Sequence, residues 1–152
     1  MSRIDYGDWN GPDWGLEAGR WLARVKATMT SAKGRQSLER LSAALALYEP
    51  RRLLKDRLVN ESGEACALGV LAAPHLKQWY ELDEADASDI ADWAEEHLSV
   101  SFTFAWLIQE ANDETFGDCT PEERYTQMSG WAFQWLAQPE EAYQRYKKAH
   151  LP

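Results

Sequence analysis

Apolar residues recur along this chain at helical spacing. Trp14, Ala18, Trp21, Val25 and Met29 fall on one face of an amphipathic helix. Leu38, Leu41, Leu45 and Tyr48 mark a second helix that ends before Pro50. Residues 30–34 read as the break between them, and so short a link predicts an antiparallel pair. The pattern then changes. Arg51, Arg52, Lys55 and Arg57 are interleaved with leucines, and Ser62-Gly63 separates two short apolar runs. That predicts at most one small β-hairpin within 58–68. The second run also suits the start of a helix stopping near Pro74, and so few residues do not separate the two readings.

Downstream the helical signals return. Residues 82–88 form an acidic linker, after which Ser88 is placed to cap a helix over 89–98. Ser101 is placed to cap the next, over 102–112. That helix is apolar nearly all round, through Phe102, Phe104, Ala105, Trp106, Leu107, Ile108 and Ala111, which predicts a central, buried position. Thr120-Pro121-Glu122-Glu123 is the sharpest local signal: an N-cap, a proline at the first helical position and a glutamate completing a capping box. A last helix opens at Pro139, with Lys147, Lys148 and His150 favouring its C-terminal dipole. The expected fold is mainly α: a single compact domain over 1–152 with six or seven helices. The turn-rich segment 1–13, carrying Trp9, is expected to dock on it, because an indole buries a large apolar area.

Composition agrees, and charge adds something new. The chain has 152 residues, 45% of them apolar, enough for one domain with a sizeable core. The net charge of −9 is unevenly spread: residues 1–60 carry +4 and residues 61–152 carry −13. Between Lys77 and Arg124 there are fourteen acids and no lysine or arginine. Helix faces exposed to water usually mix both signs, gaining weak i,i+4 attractions. A one-signed face forgoes that gain and suits a partner of opposite sign. Naked nucleic acid is excluded as a partner for this region, since attraction to phosphate dominates non-specific binding. The two cysteines make no disulfide framework, and no leader-like or membrane-spanning apolar run is present. The expected location is the cytoplasm of a host cell.

Candidate chemistry is sparse. Residues 91–108 have helix-turn-helix spacing, but the second helix offers Phe102, Phe104 and Trp106 and no basic residue to read bases. His75, His97, His150, Cys66 and Cys119 show no metal-ligand spacing, so no metal or cofactor is expected. Cys66, set among Ala, Leu and Val, reads as a small buried apolar residue. Glu110, Asp113 and Glu114 share a helix face if the helix continues past Asn112. Carboxylates so paired can do acid–base or metal-assisted chemistry, yet no nucleophile–base–orienter set accompanies them. Trp79-Tyr80 precedes the acidic linker as an exposed aromatic anchor.

Several blocks together carry a resemblance: Gly34-Arg35-Gln36 with Leu38; Arg52-Leu53; Gly63 with Cys66-Ala67-Leu68-Gly69; Ala105-Trp106 with Ile108; Asn112-Asp113-Glu114; and Thr120-Pro121-Glu122-Glu123-Arg124-Tyr125. Over roughly residues 34–135 the chain resembles a family of small phage and prophage proteins with no assigned activity. The resemblance implies origin, not mechanism.

The resulting expectation is a non-enzymatic phage accessory protein. Asp86, Asp89, Asp92, Glu95 and Glu96, with Trp79 and Tyr80, would bind a protein having a basic groove, such as a nucleic-acid-handling host complex. Mimicry of nucleic acid by an anti-defence inhibitor is one form of this. The alternatives are a small enzyme, metal-dependent or not, built on Glu110, Asp113 and Glu114, and a virion or assembly component associating through its tryptophans.

Overall fold

The helical spacings become seven α-helices among the described residues: α1 (Trp14–Thr30), α2 (Ala32–Leu47), α3 (Ala67–Leu71), α4 (Ala87–Leu98), α5 (Phe102–Glu110), α6 (Pro121–Ala137) and α7 (Pro139–His150). The structure is a computed structural model and describes residues 14–73, 82 and 85–150, with side chains from Glu17 onward. The expected docking of 1–13 and the anchor Trp79-Tyr80 lie outside the described residues.

Two junctions are each a single residue long. Ser31 separates α1 from α2 and caps α2, its hydroxyl accepting from Gly34 N at 3.0 Å. Gln138 separates α6 from α7. Between these helices, α1 packs on α7 and α2 on α6. Leu22, Val25 and Met29 of α1 meet Leu38, Leu41 and Leu45 of α2, Met128 and Trp135 of α6 and Tyr143 of α7 in one core. Burying a leucine or phenylalanine fully contributes roughly 1.5–3 kcal/mol.

Helix α5 sits centrally, touching α1, α3 and α4. Phe104, Ala105, Leu107 and Ile108 are all buried, as the all-round apolar pattern predicts. A helix so enclosed presents no face to a DNA groove. The α4–α5 turn falls where the sequence placed it. Ser99 takes a left-handed conformation (φ 56°), Val100 is buried and Ser101 caps α5.

Of the two readings left open for 58–71, the helix start holds for the second run, which becomes α3 after one isolated antiparallel bridge, Val59 to Ala65, where Asn60 Oδ1 and the left-handed Gly63 (φ 83°) close a tight turn. Two expectations need correction. Helix α4 starts two residues early: Asp86, not Ser88, is its N-cap, its carboxylate accepting from Asp89 N at 2.8 Å. Helix α5 does not run to Asn112. It gives way at Ala111 to one π-helical stretch, Ala111–Thr115. Among the described residues, no helix is long and apolar enough to cross a membrane.

Candidate functional site

Of the fourteen acids, Glu81, Asp83 and Glu84 lie outside the described residues, and the other eleven fall into three groups of different fate. The first lies on α4. Ala87, Ile90, Ala91, Ala94 and Leu98 form its buried face, so Asp89, Asp92, Glu95 and Glu96 are turned to solvent with the capping Asp86. None of these five carboxylates has a basic partner within ion-pair distance among the described residues. Two do local work: Asp86 caps α4, and Glu95 Oε2 accepts from Phe102 N at 2.8 Å, placing its charge at the positive end of α5. Asp89, Asp92 and Glu96 have no such task. His97, beside them, stacks on Trp93 and meets the Trp93 carbonyl through Nδ1 at 3.0 Å.

A second group is neutralised by the basic first part of the chain. Glu122 lies 3.3 Å from Arg52, which also meets Glu64 at 3.5 Å, and Asp118 lies 3.2 Å from Lys55. Glu123 completes the predicted capping box, accepting from Thr120 N. The acids downstream of α5 therefore do not extend the α4 face.

The third group is the carboxylate cluster around Asn112, and the π stretch alters its geometry. Its hydrogen bonds close on the fifth residue, so the turn is wider and the expected common face is lost. Glu110 turns to α7: Oε2 accepts from the Tyr146 hydroxyl at 3.1 Å and Oε1 meets His150 Nε2 at 2.7 Å. Asp113 turns to the 48–66 loop, where Oδ1 accepts from Asp56 N at 3.0 Å and Asn112 Nδ2 at 2.8 Å. Glu114 stays partly exposed. Burial, then the charges of Asp56 and Asp113, push its carboxyl above the usual range. A cleft of about 70 Å³ between α5, α6 and α7 is lined by Glu110 but by neither Asp113 nor Glu114. Among the described residues, no group of three or more His, Cys, Asp or Glu is arranged to hold a metal ion.

Two assemblies escape the sequence reading. Asn112 is wholly buried and staples three segments: Oδ1 accepts from Ala67 N at 3.1 Å, and Nδ2 donates to Leu54 O at 2.8 Å and to Asp113. Arg124, 2% exposed, donates to the carbonyls of Asn112 and Gly117. Leu53 N donates to Pro121 O at 3.0 Å, and Ala65 N to the Tyr48 hydroxyl at 3.0 Å, so the loop is pinned from several sides. Arg52-Leu53, Asn112-Asp113 and residues 121–124 meet here, but nothing in their spacing announces a buried arginine. The second assembly is Trp21, Tyr146, Glu110 and His150. Trp21 Nε1 donates to the Tyr146 hydroxyl at 2.9 Å, linking α1 through α7 to α5. Cys66 matches its apolar reading: it is 2% exposed and caps α3 through a weak Gly69 N to Sγ contact at 3.4 Å. Searches against protein-family models, curated proteins and solved structures find no match to this chain.

Proposed function

We propose that the protein is a binding module that presents the acidic face of α4 to a basic protein surface. What supports this is one arrangement: five carboxylates on the exposed side of a helix whose other side is locked into the core, with no basic side chain in ion-pair distance among the described residues. Holding such charges together on a rigid helix costs self-repulsion, and Asp89, Asp92 and Glu96 gain no side-chain contact in the fold in return. Charge complementarity with a partner raises the association rate and weakens with salt. A row of anions on a rod also fits a basic groove that normally holds nucleic acid. In the phage setting that the sequence resemblance implies, that partner is a nucleic-acid-handling host complex and the action is anti-defence inhibition.

The test is capture from host lysate at low and high salt, followed by competition with duplex DNA. A nucleic-acid-handling protein held at low salt, released by salt and displaced by DNA is the expected result. The variant carrying Asp89→Lys, Asp92→Lys and Glu96→Lys should capture none of it while giving the wild-type circular dichroism spectrum. Equal capture by the folded variant sinks the proposal.

A further inference from the structure

The C-terminal helix α7 is held at its last turn by a contact whose geometry requires a proton. His150 places Nε2 2.7 Å from Glu110 Oε1 and Nδ1 2.7 Å from the carbonyl oxygen of Tyr146. Both ring nitrogens therefore face acceptors. A neutral imidazole carries one N–H and satisfies only one of them, whereas an imidazolium donates to both. Glu110 is 1% exposed, and His150 is its only ion-pair partner among the described residues. Its second oxygen is held by the Tyr146 hydroxyl, which itself accepts from Trp21, and the Tyr146 ring stacks on His150 at 3.8 Å. With neither nitrogen free, His150 is arranged to clamp rather than to shuttle protons.

We propose that α7 is a proton-held clasp: one proton bound within the Glu110–His150 pair keeps the helix against α5, and its loss frees α7 and opens the cleft walled by Leu107, Trp131 and Trp135. The surrounding groups agree. Among the described residues Arg145 is the one other charged side chain lining that cleft, and its guanidinium donates to Gln134 Oε1 at 3.0 Å. Thr115 of the π stretch and the two α6 indoles add no charge. Burial opposes the imidazolium, yet the bond and charge of Glu110, with the Tyr146 carbonyl, raise His150 above 6.5.

The sign follows from proton linkage. The docked helix binds the proton more tightly than the free one, so the clasp is complete below 6.5 and is lost as pH rises through the raised docked value. The experiment is hydrogen exchange of the α7 amides in the full chain, corrected for intrinsic rates, between about pH 6 and pH 9. It is paired with the NMR titration of His150. In the wild type the α7 opening constant should climb by up to about tenfold per pH unit above 6.5 and then level off. His150→Gln should remove that slope. Glu110→Gln should drop the His150 midpoint, because burial is then opposed only by the weaker bond to the Tyr146 carbonyl. A His150 midpoint at or below 6.5 in the wild type, or the same slope in His150→Gln, overturns the clasp. If His150→Gln never docks α7, the wild-type histidine midpoint still decides.

Discussion

Asp92 and Asp113 are the same residue type in the same uncompensated stretch, yet the fold treats them oppositely. Asp92 stands in solvent on α4 with no ion-pair partner among the described residues, while Asp113 is 1% exposed and accepts hydrogen bonds from Asp56 N and Asn112. The contrast extends to their surroundings. Around Asp113 the hydrogen bonds from Asp56 N and from Asn112, which also holds Leu54 O, tie down the 48–66 loop, which has almost no regular structure of its own. Around Asp92 the helix would be as well packed without any charge, since its core face is entirely apolar. Negative charge in this protein thus builds the fold at one place and is left on the surface at the other. Substitutions should separate the two roles: loss of stability at the loop staple, loss of binding on α4.

The largest loss is expected at Asn112. Asn112→Ala leaves Leu54 O and Ala67 N buried without their partner, which costs about 3 kcal/mol or more. The check is the urea midpoint. A smaller but still large effect is expected at Gly69, where an added Cβ would lie 2.2 Å from the Leu58 carbonyl oxygen. That oxygen already accepts from Cys66 N at 3.0 Å, so Gly69→Ala must push α3 off the loop at about 2–3 kcal/mol. A near-wild-type midpoint for either variant would mean that the loop is not held by this staple. Thr120→Ala removes half of the capping box and should cost about 1 kcal/mol.

These positions also show what could be read from the residues. Helix number, the α4–α5 turn, the buried α5 and the capping box follow from local periodicity and caps, because each depends on neighbours a few positions away. The staple does not, because Asn112 joins segments whose proximity exists only once the chain has folded. The π stretch was hidden for a related reason. Residues 110–114 have ordinary helical spacing, and only tertiary demands of Glu110 for α7 and Asp113 for the loop pull the backbone into the wider turn. Of the candidate face, the α4 acids were legible from composition alone. That Arg52 and Lys55 reach Glu122 and Asp118 was not, since those partners lie more than sixty residues apart in sequence.

A subtler effect is expected at Glu114, which borders both worlds. Its carboxyl is raised by burial and by the charges of Asp56 and Asp113, and its Oε1 is buried without a hydrogen-bond partner among the described residues. A carboxylate with a raised folded value destabilises the protein above that value and is relieved as pH falls through it. Glu114→Gln should therefore be neutral to slightly stabilising at pH 7, with the difference shrinking in acid. Thermal melts at both pH values check the sign. A clearly destabilised Glu114→Gln would show that the charge makes a stabilising contact in the fold.

The smallest effect on stability, and the largest on function, is expected on α4. Asp86 and Glu95 should be left alone in that test, because they cap α4 and α5 and their loss would confuse folding with binding. Asp89, Asp92 and Glu96 carry no such contact. Asp89 sits in the first turn, so its reversal to lysine opposes the dipole, while a lysine at Glu96 near the other end favours it. Each term is about 0.3–1 kcal/mol and they have opposite sign, so the triple variant should melt close to the wild type. Binding to a basic partner should nevertheless vanish, because three reversals turn attraction into repulsion across the whole face. If the triple variant instead unfolds, the α4 acids belong with Asp113 as structural groups. The two regions would then differ in exposure alone.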